Sequence, residues 1–343
     1  MGVSSLNLKT SGGELSELVA VVAEPLAQVE AALVAQARAF DTSVTGYVQP
    51  VLGTTGKRLR PALALLAGGA TGRITEEHLR LGVIVELIHL GTLVHDDVLD
   101  DADMRHGKPT PNSLLGNKTS VLLGDGIFAH ALHLSGTYPT PMVCRKIGLA
   151  TRTVCTGEIL QTQRRYDQRL SIPNYLEMIA MKTGALFAVS SELGAELNAA
   201  PASVVKALSE VGNNFGIAYQ IYDDCVDIFG QERHAGKSLG TDMRTGKLTL
   251  PWLLLLEHTG ADRRDEIAEM IFHGDADERA KLFALAAGNG VLSESLATVE
   301  QYVKRAGNCL ADLPENTHTK TLSALINFVA SKTRRLLNTK VPA

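Results

Sequence analysis

The stretch HDDVLDDADMRHGKPT, His95 to Thr110, places five aspartates within nine positions and follows them with basic residues. At about 100° per residue, a helix ending near Asp100 brings Asp96 and Asp100 to within roughly 40° of each other, with Asp97 on the flank. Two carboxylates so placed stand about 6 Å apart at the helix surface and repel each other unless a cation joins them. Oxygen-only ligands suit Mg²⁺, which keeps part of its water shell and bridges carboxylates to substrate phosphates. For one such cluster alone, a solvated acidic helix end is the competing explanation, and Asp101 and Asp103 fit it. A second cluster tips the balance. QIYDDCVDIFG, Gln220 to Gly230, repeats the offsets, with Asp223 and Asp227 on one face and Asp224 beside them. It is wedged between the apolar runs FGIAYQIY and CVDIF, where unpaired carboxylates are expensive to bury. Two facing aspartate sets that hold several Mg²⁺ ions around one polyanion account for both.

Cations suited to a polyanion are present. GTTGKRLRP offers Lys57, Arg58 and Arg60 near the start of a helix, where free backbone N–H groups also favour an anion. Gly53 to Gly56 is too short for a P-loop, and no Ser or Thr follows Lys57. Arg105, Lys108, Lys182 and the Gly-rich segment GQERHAGKSLGTDMRTGKLTLP, with Lys237 and Lys247, add further positive charge. Any one of them is an ordinary surface residue. Together, around two magnesium-type clusters, they point to diphosphate ligands.

The elements that must position these groups are helical. Apolar residues recur at three- and four-residue spacings over Glu14–Phe40, Arg60–Ala70, Glu76–Leu99, Thr119–Ser135, Met142–Arg165, Ile172–Asn198 and Val204–Phe229. The pattern continues over Leu248–His258, Ala261–Phe272, Glu278–Ala287, Ser293–Leu313 and Lys320–Leu337. Strand-like alternation is absent, and LGTTGK, SGTYPTP and NAAPAS read as short turns between antiparallel helices. The expectation is one all-α domain, residues 13–343, behind a mobile leader, residues 1–12. With 343 residues, 45% hydrophobic and 20% charged, the chain can bury a large core. Its net charge of -4 and lack of a basic stripe argue against nucleic acid. LPWLLLLE falls short of the roughly 20 residues of a membrane span, no signal peptide is visible, and Leu6 breaks the myristoylation pattern. A cytoplasmic protein is expected. Cys144, Cys155, Cys225 and Cys309 lack metal-ligand spacing and read as ordinary thiols.

GKRLRP, ELIHLGTLVHDDVLD, RHGKPT, LLGD, GEILQ, MKTG, YQIYDDCVD and GKSLGTDMRTGKLTLP follow one another between Gly56 and Pro251, over half the chain. In this order they make the chain similar to the trans-polyprenyl diphosphate synthases, which are class I all-α isoprenyl diphosphate synthases. The resemblance implies a single large helical bundle around a central cavity and a homodimer. It implies that Asp96 and Asp100, supported by Asp97, and Asp223, with Asp224 and Asp227 nearby, hold three Mg²⁺ ions on an allylic diphosphate. Arg105, Lys182, Thr183, Gln220, Lys237 and Lys247 match positions that contact that diphosphate. Lys57, Arg60 and His89 match the pocket for isopentenyl diphosphate, with Arg58 a neighbour that adds field. Glu158 and Gln161 fit either the site or a hydrogen-bonded core.

The implied chemistry is ionisation of the allylic C–O bond, attack on the carbocation by the double bond of isopentenyl diphosphate, and loss of a proton to pyrophosphate. The cations stabilise the departing charge, and the lysine-bearing Gly-rich segment is expected to act as a lid. A partner-dependent subunit and a class I terpene cyclase or head-to-head condensing enzyme are the competing functions; both aspartate motifs being complete, and the second cation pocket, argue against them. Below Asp96, successive turns place Thr92, then Ile88 or His89, then Val85. In the family an aromatic four or five residues before the first aspartate blocks the growing chain. Thr92 and Gly91 are small, so a medium or long polyprenyl product is expected ahead of a geranylgeranyl or farnesyl one, with the helix at Thr119–Ser135 a second candidate for the floor. The family usually has two arginines where this chain reads Arg105-His106. A mostly neutral imidazole cannot make the bidentate contact of a guanidinium, so binding of isopentenyl diphosphate there is expected to be weaker or pH dependent.

Overall fold

The structure is a computed structural model that describes residues 13–105, 107–230 and 240–337; the expected leader lies outside them. In chain order the helices are α1 (Gly13–Leu18), α2 (Ala23–Ala35), α3 (Thr42–Leu52), α4 (Leu59–Thr71) and α5 (Glu76–Leu99). Strands β1 (Met104–Arg105) and β2 (Lys108–Pro109) follow, then α6 (Pro111–Leu115), α7 (Asn117–Ser135), α8 (Met142–Gln163) and α9 (Ile172–Ile179). A π-helical turn, Ala180–Gly184, leads straight into α10 (Ala185–Glu196), and α11 spans Ala202–Phe229. The remainder is α12 (Thr241–Arg244), α13 (Leu250–His258), α14 (Ala261–His273), α15 (Ala276–Gly288), α16 (Val291–Leu310) and α17 (Thr317–Leu337).

The most apolar helices take the centre. In α4 every residue from Pro61 to Ala70 is buried, and in α5 every residue from Leu81 to Ile88 is buried, as expected of helices that are apolar on all sides. α10 packs between α4 and α11, and α5 packs against α4 and α7. Close approach demands small residues. A Cβ on Gly212 of α11 would lie 2.3 Å from the Phe187 carbonyl oxygen of α10, so only glycine allows this spacing. One contiguous core runs from Val19 to Ala330.

The all-α expectation holds, with local differences, the first being that the stretch expected over Glu14–Phe40 is broken into α1 and α2 by a 3-10 turn at Ala20–Val22. α3 escaped the sequence reading because Gly46 and Pro50 interrupt its apolar pattern; Asp41 caps it, accepting from Ser43 N–H at 2.8 Å. Strands β1 and β2 form a small antiparallel hairpin, too short for alternation to register in the sequence. The single helix expected over Ile172–Asn198 is widened at Ala180–Gly184, where one turn becomes a π turn.

Candidate active site

The last turn of α5 carries the first carboxylates. Asp97 points inward, 2% exposed, and its Oδ1 accepts from both Nε and Nη2 of Arg105 at 2.8 Å. The β1–β2 hairpin therefore folds Arg105 back onto the helix that precedes it. Burial raises the Asp97 pKa, and the Arg105 charge only partly offsets it. Asp100 accepts from Lys247 Nζ at 2.7 Å on Oδ2 and from Arg165 Nη2 at 2.6 Å on Oδ1. Burial works against ionisation of Asp100, but Lys247, Lys182 and Arg165 outweigh it and hold the carboxyl below its usual range. Asp96 is half-buried, with Oδ2 3.8 Å from Lys182 Nζ, a separation longer than a hydrogen bond. Asp101 and Asp103 are exposed, as a solvated helix end requires.

The last turns of α11 carry the second set. Asp223 is half-buried, whereas Asp224 and Asp227 are 3% and 1% exposed. Asp224 accepts from Tyr175 Oη at 2.5 Å and from Gln220 Nε2 at 2.8 Å. Burial, followed by repulsion from Asp242, pushes its pKa well up. Asp227 departs from the expected role beside Asp223. Its Oδ1 accepts from Thr241 Oγ1 at 2.9 Å and its Oδ2 from Asp242 N–H at 3.3 Å, so it clasps the start of α12.

Between the two sets lies the π turn. Lys182 Nζ donates to Gln161 Oε1 at 2.9 Å and to Glu158 Oε2 at 2.5 Å, both on α8. Thr183 Oγ1 donates to Gln220 Oε1 at 2.8 Å. A Cβ on Gly157 would lie 2.5 Å from Lys182 N, so glycine at the head of GEILQ lets α8 press against the turn. Glu158 and Gln161 thus both accept from Lys182.

The other cations line a neighbouring region. Lys57 Nζ donates to Tyr219 Oη at 3.0 Å and lies 5.5 Å from the ring centroid. The Arg60 guanidinium stacks 4.3 Å from the Phe187 centroid, and its buried Nε has no hydrogen-bond partner, a donor left over for an anion. Burial pushes the Arg60 pKa down to about 10 against the pull of Glu86, Tyr219 and Asp96. His89 is held well below its usual range by burial and then by Arg60, Arg105 and Arg58, so it is neutral at pH 7. Arg58, expected to add its field to that pocket, is instead neutralised by carboxylates. It adopts φ +48° and is spent on Glu30 (2.7 and 2.9 Å), Glu86 (2.7 Å) and the Thr54 carbonyl (2.5 Å), which leaves it no reach toward a ligand.

The chain-length positions also change. A Cβ on Gly91 would meet Phe128 Cε1 at 2.9 Å, so the space beside Gly91 is filled by a ring from α7. Ile88 and Val85 are fully buried in the core. Thr92 is half-buried, its hydroxyl turned onto the His89 carbonyl at 2.7 Å.

Among the described residues no three histidine, cysteine or carboxylate groups converge as a ready-made metal cage. Asp96, Asp100 and Asp223 fit instead an ion that retains water and completes its shell with phosphate oxygens. His106 and Lys237 lie outside the described residues. Arg165, Tyr175 and Tyr219 were missed. Arg165 follows Glu158 and Gln161 at helical spacing in the turn just past α8, a legible signal; Tyr175 had none beyond being aromatic.

An all-α bundle that sets two aspartate-bearing helix ends around Lys182 and Lys247, beside Lys57, Arg60 and His89, has the makings of an enzyme for diphosphate esters. The chain belongs to the polyprenyl synthetase family, whose sequence model matches residues 42–287, and it is a prenyltransferase. Octaprenyl diphosphate synthase of Escherichia coli (strain K12) is 30% identical over 322 residues, 93% of this chain and 99% of that protein. Nonaprenyl diphosphate synthase of Mycobacterium tuberculosis is 32% identical over 327 residues, 94% and 97% of the two chains. A polyprenyl synthase from Caulobacter crescentus, solved with calcium and isoprenyl diphosphate, matches with a TM-score of 0.87 at 32% identity, covering 92% of this chain and 97% of that one.

Proposed function

We propose that the chain joins isopentenyl diphosphate to an allylic diphosphate, 1'-4 and trans, and repeats the step to a medium- or long-chain polyprenyl diphosphate. The observation that carries this reading is the joining of both carboxylate ends by one segment. Asp227 clasps Thr241 and Asp242, and from there the chain returns Lys247 to Asp100. The kinship with octaprenyl and nonaprenyl diphosphate synthases, and the small Thr92 one turn before Asp96, support the longer products.

In this reading Asp96, Asp100 and Asp223 hold Mg²⁺, which when bound stabilises the charge of the departing pyrophosphate. Lys182, Arg105 and Lys247, with Lys237, grip the allylic diphosphate and strengthen their hold as its C–O bond breaks. Lys57 and Arg60, with neutral His89, hold isopentenyl diphosphate so that its double bond faces the cation. Thr183 and Gln220 fix the turn that presents Lys182. The proton lost on coupling leaves with pyrophosphate, so no side-chain nucleophile is needed.

Residues 13–343 act in this reading as one catalytic domain of a cytoplasmic homodimer. Among the described residues no single helix is long and apolar enough to cross a membrane. Val121, Leu122 and Leu132 of α7 and Leu149 and Ile159 of α8 are exposed, an apolar pair of faces that a second copy would cover. The reading is tested by incubating the purified protein with Mg²⁺, labelled isopentenyl diphosphate and each allylic primer. Linear products longer than geranylgeranyl diphosphate are expected; cyclic hydrocarbons, or elongation only after a second chain is added, would reject it.

A further inference from the structure

We propose that Tyr175 is a positioning residue for the allylic-diphosphate half of the site, acting through Asp224, which serves as an internal anchor and not as a metal ligand. The proposal rests on the reading above. Tyr175 lies on α9, two helical turns before Lys182, and is 1% exposed. Its hydroxyl donates to Asp224 Oδ2 at 2.5 Å. The other oxygen of Asp224 takes the Gln220 amide N–H at 2.8 Å. That bond fixes which way the amide faces, and the Gln220 carbonyl is left to receive the Thr183 hydroxyl at 2.8 Å.

The contacts close a ring. It starts on α9, crosses to α11 through Asp224 and Gln220, and returns to the π turn one residue after Lys182. A π turn has lost the regular i to i+4 ladder, so its orientation depends on side chains that grip it. Thr183 is gripped from α11 and Lys182 from α8, and the α11 grip is referred back to Tyr175. Asp224 is only 3% exposed, where Asp100 and Asp223 are half-buried, and this burial leaves no approach for a hydrated ion. Asp223, half-buried at the same helix end, is the member of the pair able to face one. The paired aspartates thus divide their duties between contact with the ligand and support of the surrounding helices. Loss of the Tyr175 hydroxyl leaves a buried carboxylate oxygen without its donor, and the relay relaxes.

The experiment compares Tyr175→Phe, Asp224→Asn and the double variant in steady-state kinetics, with calorimetric binding of inorganic pyrophosphate in Mg²⁺ as a readout independent of turnover. Tyr175→Phe is expected to raise the KM for the allylic primer by about fivefold and to weaken pyrophosphate binding similarly, while the KM for isopentenyl diphosphate stays within about twofold. In the Asp224→Asn background the Tyr175→Phe change should add almost nothing, because the two act in series. Equal rises in both KM values, wild-type values throughout, or full multiplication of effects in the double variant would overturn the proposal. If Tyr175→Phe alone does not fold, the double variant, which removes the buried acid left without its donor, must still bind pyrophosphate as Asp224→Asn does. A wild-type protein that binds pyrophosphate but elongates no primer rejects the proposed function, and the calorimetric comparison still decides the role of Tyr175.

Discussion

Lys247 Nζ stands 2.7 Å from Asp100 Oδ2, joining residues 147 positions apart in the chain. In the proposed function this contact pairs a carboxylate given to metal with a lysine given to the allylic diphosphate, so the two roles meet at one hydrogen bond.

Lys247→Ala should lower kcat/KM for the allylic primer by about tenfold to a hundredfold, since it removes a donor to developing negative charge. It should also alter acid stability. The folded Asp100 pKa is depressed, so its contribution is present above the unfolded value of about 3.9 and is lost as pH falls through the folded value. Urea midpoints should therefore separate variant from wild type at pH 7 and converge toward pH 3.

Arg58→Met should cost about 3 kcal/mol of stability, because Glu86, almost fully buried, and Glu30 lose their shared partner. Lys57→Ala, one position away, should leave stability nearly unchanged and raise the KM for isopentenyl diphosphate. Urea unfolding and steady-state kinetics on the two variants separate a supporting arginine from a binding lysine; a stable Arg58→Met would contradict the assignment.

His89→Gln tests the neutral imidazole. The folded pKa lies below the unfolded value of about 6.5, so the unfolded chain binds the extra proton first and stability falls as pH drops below 6.5. The variant should lose less stability than wild type between pH 7 and pH 5. Parallel curves would mean that folding leaves the His89 pKa unshifted.

Thr92→Phe should shorten the product while the protein stays folded. Gly91→Phe should instead destabilise by about 1–3 kcal/mol, because its side chain collides with Phe128. Adding Phe128→Ala should recover the loss. Thin-layer separation of products, with thermal midpoints, checks both; unchanged product lengths in Thr92→Phe would exclude Thr92 from the path of the chain.

His106→Arg should lower the KM for isopentenyl diphosphate by restoring a guanidinium to the usual position. An unchanged KM would mean that Lys57 and Arg60 already complete the pocket.

Much of the architecture was legible because helical periodicity records which side of each helix faces inward, and the centre here is almost purely helical. The paired spacing of Asp96 with Asp100, and of Asp223 with Asp227, was legible for the same reason. Periodicity does not record which distant side chain meets that face. Arg58 looked like a ligand-facing cation because Glu30 and Glu86, its partners, each lie 28 positions away in the chain. Asp227 looked equivalent to Asp223 until Thr241 and Asp242 were found against it, and Gly91 looked like open space until Phe128 was found there. Each of these depends on how two helices are set against each other, which local spacing leaves undetermined.

The π turn at Ala180–Gly184 makes the reach of Lys182 a matter of residue count. An α-helix advances about 100° per residue, so deleting one residue there and restoring a regular ladder would turn everything on α9 by roughly that angle relative to α10. Tyr175 would then swing away from Asp224 while α10 stayed seated on α4 and α11. Substitutions inside the turn are tolerable in principle, but a change in its length is not, and the segment from Tyr175 to Gly184 should accept new side chains far more readily than it accepts insertions or deletions.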